Sequence, residues 1–195
     1  MPGAARTGIL VHRHGVPLKK STFLVLALAA SLPAAADDTR AGIQAAIVFP
    51  QNDLRTTVDG TLGLTVGVHV DIILGGGSEF RPRLDYLQCD TEPLHALTLS
   101  STRTTAHATS LGLDYLRFFE PGSRGAYGVV GTGIQWWSAS QPGFGDSHET
   151  APFLRLGGGF RFHSDVAAEI TWNLGCFRPT SGTAGSIQAG ITYRF

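Results

Sequence analysis

The sequence predicts an all-β protein, an eight-stranded antiparallel up-and-down β-barrel that spans a membrane, and three observations support this. Apolar and polar residues alternate along eight segments of the chain. Charged residues make up only 15% of its 195 residues, where about 25% is usual in soluble domains. No window holds the roughly 18 uninterrupted apolar residues of a transmembrane helix. Low charge without an apolar run, together with 25 glycines, is expected when half of the strand positions face a polar interior.

The first 36 residues have the pattern of a secretory signal peptide. Lys19 and Lys20 precede an apolar run, residues 23–32, which is too short to span a bilayer, and residues 34–36 (AAA) form a cleavage site. We therefore expect cleavage of residues 1–36 and a barrel domain of residues 37–195. Cleavage would remove four of the 15 basic residues, leaving 11 against 15 acidic ones and a net charge of about −4, which argues against a nucleic-acid partner.

Eight alternating segments follow the signal. The second is the most regular, because seven apolar residues from Leu62 to Leu74 occupy every other position, a period of two that a helix does not produce. Turn-forming or polar residues bound each segment. The predicted strands are Ala41–Phe49, Thr61–Leu74, Ser78–Cys89, Ala106–Phe119, Ala126–Ser138, Ala151–His163, Asp165–Cys176 and Ile187–Phe195.

The connections between these strands alternate in length. Short turns are predicted at Gly75–Gly77, Glu120–Gly125 and His163–Asp165. Longer polar loops are predicted at Pro50–Gly60, Asp90–Thr105 and Ala139–Glu149. Short periplasmic turns and longer outer loops are typical of membrane barrels. Aromatic residues then cluster near both strand ends, as in an aromatic girdle, with Phe118 and Phe119 among those at the periplasmic end.

The signal, the eight alternating strands and the terminal Phe195 together resemble the small eight-stranded bacterial outer-membrane β-barrels of the OmpA/OmpX type. The stretches RPRLDY (81–86), SLGLDYLRFF (110–119) and GITYRF (190–195) resemble the porin-like outer-membrane β-barrel domain family. This resemblance implies insertion into a Gram-negative-type outer membrane, among its lipid and lipopolysaccharide. It also implies that the barrel assembly machinery recognises Ile191, Tyr193 and Phe195 as an assembly signal.

Charged residues on the inward faces of the strands are predicted to fill the lumen. An eight-stranded barrel leaves an interior just wide enough for side chains, so these charges should form an ion-pair network. Folding the second and third strands about Gly76 pairs Asp71 with Arg81. The predicted network consists of Asp71, Arg81, Arg83, Asp85, Asp114, Arg155, Arg161 and Glu169, with Glu169 diagonal to Arg161. The alternative is a gate in a narrow channel or transporter for small solutes.

Cys89 and Cys176 are the two cysteines of the chain. Export makes a disulfide between them chemically allowed. However, the third and seventh strands lie on opposite sides of the barrel, and a disulfide requires Cα atoms within about 7 Å. Only loops folded over the mouth could join the two, so a disulfide and two separate thiols both remain open.

No residues in the sequence point to an enzyme or a cofactor. The stretch His163-Ser164-Asp165 has the residue types of a hydrolase triad, but adjacent residues are not expected to adopt triad geometry. A lipid-modifying enzyme would need His, Ser and acidic residues converging at the outer side, and His95, His107 and His148 lack metal-ligand spacing. We therefore predict a non-enzymatic barrel with a structural or surface-interaction role, whose outer loops contact an unidentified extracellular partner.

Overall fold

The computed structural model describes residues 38–58, 60–90, 105–120, 122–141, 145–177 and 182–195. Within these ranges eight antiparallel strands close into a barrel in which β8 pairs with β1, which confirms the predicted fold. The strands are β1 Thr39–Gln51, β2 Gly63–Gly75, β3 Ser78–Asp90, β4 Thr105–Phe118, β5 Gly125–Gln141, β6 Gly145–Arg161, β7 Val166–Phe177 and β8 Gly182–Arg194. A short helix, α1 (Asn52–Thr57), follows β1. No helix in the described ranges is both long and apolar enough to cross a membrane.

The two faces of the strands differ as the alternation predicts. Outward side chains are mostly apolar and exposed, and they include Leu64, Ile134 and Ile170. Inward positions are buried, and many of them are polar or charged. This polar-in, apolar-out arrangement is the reverse of a soluble barrel and is typical of a transmembrane barrel.

The registers of the hairpins agree with this arrangement. Asp114 lies opposite Gly131, Ser110 opposite Gln135, and His69 opposite Arg83, so that inward positions face inward positions in each hairpin. A slip of one residue would turn every inward side chain outward, so the alternation excludes odd-numbered slips.

The connections define two ends of the barrel. The turns after β2, β4 and β6 lie at what we call the short-turn end, and the connections after β1, β3, β5 and β7 lie at the long-loop end. The tightest turn is Gly75–Gly77, where all three residues have positive φ, of 81°, 60° and 78°. Residues with a side chain rarely adopt this conformation, which explains the three consecutive glycines.

Two of the predicted loops contain regular structure instead. The predicted loop Ala139–Glu149 is wrong over most of its length, because β5 continues to Gln141 and β6 begins at Gly145. The predicted loop Pro50–Gly60 contains α1, which the chain enters through Asn52 at a φ of 53°, a value that Asn tolerates better than most residues. The predicted signal, residues 1–36, and most of the predicted loop Asp90–Thr105 lie outside the described residues.

Apolar side chains occupy both ends of the lumen, although the predicted inward face is polar. The cluster at the long-loop end comprises Val48, Leu54, Val58, Leu87, Cys89, Ala106, Ala108 and Trp137. The cluster at the short-turn end comprises Leu116, Phe118, Tyr127, Val129 and Ala167. Phe118 therefore packs inside the barrel, 4.8 Å from the ring of Tyr127 between centroids, and its predicted place in an outer girdle is wrong. Phe119, the next residue, is exposed on the outside.

Candidate functional site: the lumen network

Ten buried charged residues face one another inside the barrel, and we call them the lumen network. They comprise five arginines and five carboxylates, so their formal charges cancel. The arginines are Arg81, Arg83, Arg155, Arg161 and Arg194, and the acids are Asp71, Glu79, Asp85, Asp114 and Glu169.

The group nearest the long-loop end is built on two acids shared by two arginines. Arg83 donates to Asp85 at 2.8 and 3.1 Å and to Asp114 at 2.9 Å. Arg155 donates to the same two acids, at 3.0 Å to Asp114 and 3.4 Å to Asp85. Neutral groups complete the contacts, with Gln44 donating to Asp85 and Arg155 donating to Asn173 at 2.6 Å.

The central group joins strands on opposite sides of the barrel. Arg81 on β3 donates to Asp71 on β2 at 2.6 Å and to Glu169 on β7. Tyr127 donates its hydroxyl proton to Glu169 at 2.7 Å, which brings β5 into the same contact. His69 Nε2 lies 3.9 Å from Oδ1 of Asp71.

The group at the short-turn end is held by Arg161. Its guanidinium makes two hydrogen bonds to Glu79, at 2.8 and 3.0 Å, and a third to Asp71 at 3.3 Å. The guanidinium carbon lies 4.7 Å from the centroid of the Phe118 ring, within cation–π range. Arg194, from the last strand, adds contacts to Glu79 at 3.3 Å and to Asp71 at 3.6 Å.

Glycines on neighbouring strands make room for the carboxylates. A Cβ placed at Gly131 would meet Oδ1 of Asp114, and one at Gly67 would meet Oδ1 of Asp85, both well inside van der Waals contact. The network therefore depends on the absence of a side chain at these two inward positions.

A small cavity, of about 20 Å³, lies beside the network in the described part of the chain, between Arg83, Glu169, Gln188 and Thr192. A single water molecule needs roughly 10–15 Å³ measured in the same way, so this cavity holds about one water and no solute. Within the described part of the chain, Oδ1 of Asp114, Nη2 of Arg81 and both ring nitrogens of His69 have no hydrogen-bond partner in the protein.

The structure places the predicted network residues as follows. All eight are buried inside the barrel, and Asp71 contacts Arg81. Glu169 lies opposite Gly159, but its ion pair is with Arg81, while Arg161 pairs with Glu79 and Asp71. Glu169 therefore pairs with a residue other than its diagonal neighbour, because Arg81 reaches across the lumen to β7.

Several contributors to the network were missing from the predicted set. They include Glu79, Arg194, Tyr127, Asn173 and Gln44. The sequence signal for Glu79 and Arg194 was available, because both fall on the inward series of their strands, as Arg81 and Thr192 do. Tyr127 likewise falls on the inward series of β5, with Gly131 and Gln135, although an aromatic residue near a strand end also fits a girdle.

The predicted assembly signal lies on the outside of β8. Ile191, Tyr193 and Phe195 are all exposed, and the rings of Tyr193 and Phe195 are 6.4 Å apart between centroids. The backbone N–H of Phe195 donates to the carbonyl of Ala41 at 2.8 Å, so the end of the chain is fastened to the beginning of β1.

The other candidate chemistry lies away from the network. Cys89 is buried in the apolar cluster of the long-loop end, whereas the side chain of Cys176 lies outside the described positions, so a disulfide stays a prediction.

Ser164 lies closer to His163 than expected, with Oγ 3.1 Å from Nδ1, and Asp165 Oδ2 lies 3.5 Å from the same nitrogen. A triad needs the serine and the acid on different ring nitrogens, so this exposed turn lacks triad geometry.

Comparison with known proteins identifies the fold. Neither a protein-family model nor a curated protein matches the chain. Among solved structures, the N-terminal β-barrel domain of Pseudomonas aeruginosa OprF is 15% identical and aligns with a TM-score of 0.54, over 81% of this chain and 98% of that domain. Ail, the attachment invasion locus protein of Yersinia pestis, solved with the heparin analogue sucrose octasulfate, is 13% identical with a TM-score of 0.54, over 81% of this chain and 99% of that one. The chain therefore has the fold of the small eight-stranded outer-membrane β-barrels.

Proposed function

We propose that this protein is a non-enzymatic outer-membrane β-barrel whose lumen is closed by its own side chains and whose long-loop end contacts partners outside the cell. The observation that carries this proposal is the lumen network of five arginines and five carboxylates, packed between side chains from nearly every strand. A barrel that used its lumen for passage would need a continuous polar path, and here the polar groups bind one another.

The outer surface supports the membrane location. Large apolar side chains such as Leu64, Ile170 and Ile191 are about half to two-thirds exposed, at 55%, 64% and 60%. In water, a surface of this kind would drive aggregation, whereas lipid tails satisfy it without cost. The predicted signal peptide, residues 1–36, supplies the export step, and the exposed series Ile191, Tyr193 and Phe195 supplies the proposed contact with the barrel assembly machinery.

The long-loop end supports a surface-interaction role. Pairing of β6 with β7 ends at Phe153 and Gly175 in the described ranges, while pairing of β5 with β6 continues to Gln141 and Gly145. On the β6 side this hairpin therefore extends eight residues, Gly145–Pro152, beyond the last β6–β7 pair, a length of about 25 Å at the usual rise of a strand, while on the β5 side β4 stays paired as far as Ser140. A projecting hairpin with polar, exposed residues such as Ser147 and His148 can reach beyond the lipid headgroups and lipopolysaccharide to an external partner.

The main alternative is a narrow channel for small solutes, and conductance decides between the two. We expect purified barrels in planar bilayers to show no steady current at low voltage, because the charged groups of the network bind one another across the lumen. Steady, voltage-independent channels in the wild-type protein would refute the closed lumen.

The surface role has its own test. An epitope tag inserted in the sequence between Gln141 and Gly145, the last described pair of β5 and β6, should be accessible to antibody on intact cells. A tag in the turn between β6 and β7, at residues 163–164, should be accessible only after the outer membrane is permeabilised. The opposite pattern would invert the proposed orientation.

A further inference from the structure

Arg117 breaks the apolar pattern of the outer surface. It lies on the outward face of β4, between the inward residues Leu116 and Phe118, and it is exposed. Among the described side chains on the outward faces of the strands, no other Arg, Lys, Asp or Glu occurs. A charge on the lipid-facing surface of a membrane protein usually has a specific partner.

Contacts with the protein hold the guanidinium of Arg117 in place. Nη1 donates to the carbonyl of Gly76 at 2.9 Å and to Oγ of Ser78 at 2.8 Å. Ser78 Oγ in turn lies 2.9 Å from the hydroxyl of Tyr115. Because Ser78 accepts from Arg117, its own proton can go to Tyr115, which leaves the Tyr115 proton free to donate outward.

The rest of the guanidinium is unused by the protein. Within the described part of the chain, Nε and Nη2 of Arg117 make no hydrogen bond, and no carboxylate lies within ion-pair distance. Gly128, which lies opposite Arg117 on β5, presents no side chain, and a Cβ placed there would come only within 4.0 Å of the Phe119 ring. Nε and Nη2 of Arg117 and the hydroxyl of Tyr115 therefore remain available as donors to a group outside the protein.

The depth of Arg117 in the barrel indicates what fills that space. Arg117 is one residue from the end of β4 at the short-turn end. Two residues further from that end, on the same outward face, the rings of Tyr115 and Phe80 pack edge to face, 5.6 Å apart between centroids. Aromatic side chains at such a boundary mark the level of the lipid headgroups. The anion present at this level in every phospholipid is the phosphate.

We propose that Arg117, Tyr115 and Ser78 form a binding site for the phosphate of a phospholipid in the leaflet at the short-turn end. The planar guanidinium suits a phosphate because its N–H donors match two phosphate oxygens. The inference rests on the proposed membrane location. It adds a named lipid contact on the leaflet opposite the lipopolysaccharide.

The test compares Arg117→Gln with Arg55→Gln, which makes the same chemical change on the exposed face of α1 at the other end of the barrel. Folded protein in detergent is titrated with phosphatidylglycerol, and bound lipid is counted by native mass spectrometry. We expect roughly five-fold weaker binding to Arg117→Gln, the factor that one arginine near a lipid surface contributes, and no change for Arg55→Gln. Tyr115→Phe, which keeps the ring and removes the hydroxyl, should weaken binding in the same direction.

Two further arms separate the sources of phosphate. Diacylglycerol, which lacks phosphate, should bind wild type and Arg117→Gln equally, and millimolar inorganic phosphate should not displace phosphatidylglycerol. Equal phosphatidylglycerol binding by all folded variants would overturn the site, and displacement by inorganic phosphate would overturn its assignment to a lipid. Failure of the wild-type protein to insert into phosphatidylglycerol–phosphatidylethanolamine vesicles would instead refute the membrane location on which the site rests.

Discussion

Asp114 offers the sharpest test of the lumen network, because one carboxylate serves two arginines. It is fully buried and accepts hydrogen bonds from Arg83 at 2.9 Å and Arg155 at 3.0 Å. In Asp114→Asn the side chain keeps nearly the same volume, so the change removes charge without making a cavity. Two buried arginines would then share the single remaining charge of Asp85.

The expected loss follows from the cost of an uncompensated buried charge. Breaking a buried ion pair by removing one partner typically costs about 3–5 kcal/mol, because the other charge stays desolvated. We expect Asp114→Asn to lie in this range. The matched control is Asp165→Asn, whose carboxylate is exposed and lies 3.5 Å from His163, and an exposed pair contributes about 1 kcal/mol or less.

Equilibrium unfolding in urea, with the barrel refolded into phospholipid vesicles, measures both variants. Tryptophan fluorescence reports the transition, since the chain has three tryptophans, two of them at positions 136 and 137 of β5 and one at 172 of β7. Gel mobility with and without heating first shows that each variant folds. The free energies of unfolding are then compared with one common value for their dependence on urea concentration. If Asp114→Asn loses no more stability than Asp165→Asn, the network does not hold the lumen closed in the way described.

A substitution at Gly131 and a deletion of Phe195 test the packing of the lumen and the end of β8. Gly131→Ala should destabilise the barrel by about 1–3 kcal/mol, because the new Cβ would overlap Asp114. The control is Gly128→Ala on the open outer side, which should change stability little. Equal unfolding midpoints for the two variants would contradict this. Deletion of Phe195 should lower membrane assembly in cells while changing the stability of the refolded barrel by about 1 kcal/mol or less, since the ring is exposed and one backbone hydrogen bond is lost. Normal assembly of the truncated chain, judged by heat-modifiable gel mobility, would remove Phe195 from the assembly signal.

The fold could be predicted because the alternation of apolar and polar residues along each strand is enough to decide which side chains face outward and which face inward. The alternating apolar residues from Leu62 to Leu74 require one face of the strand to lie in lipid or in a core. The charged residues of β3, which occupy the opposite face of their strand, then have to meet inside a barrel. The inward location of Arg81, Arg83 and Asp85 follows from their alternate positions along β3 alone. No knowledge of the partners is needed for this step.

The partners themselves could not be predicted in the same way. Arg81 on β3 binds Glu169 on β7, and these strands are not neighbours in the barrel. Such a contact depends on side-chain length and on the width of the lumen, which alternation along a strand does not encode. Helix α1 could not be predicted for a different reason, because its six residues are too few to establish a helical period.

The apolar ends of the lumen show that alternation along a strand decides the facing of its end residues as well. Leu116 and Phe118 continue the inward series of Asp114, whereas an aromatic residue near a strand end is by type alone expected in the outer girdle. In the structure, Phe118 packs under Arg161 and supports it through its ring face. Position on the strand, and not residue type, determined the side of the barrel.

The network has a further consequence for how the chain selects one register. A slip of two residues between β4 and β5 preserves the faces, so alternation cannot exclude it. In one direction such a slip would place Asp114 opposite Val129, a buried member of the short-turn cluster. In the other direction it would place Asp114 opposite Gly133, where the ring of Phe153 fills the space above the glycine. Gly131 is the one inward position of the three that leaves room for a carboxylate. Buried ion pairs are weak evidence for stability, but here their geometry specifies the register that the hydrophobic pattern leaves open.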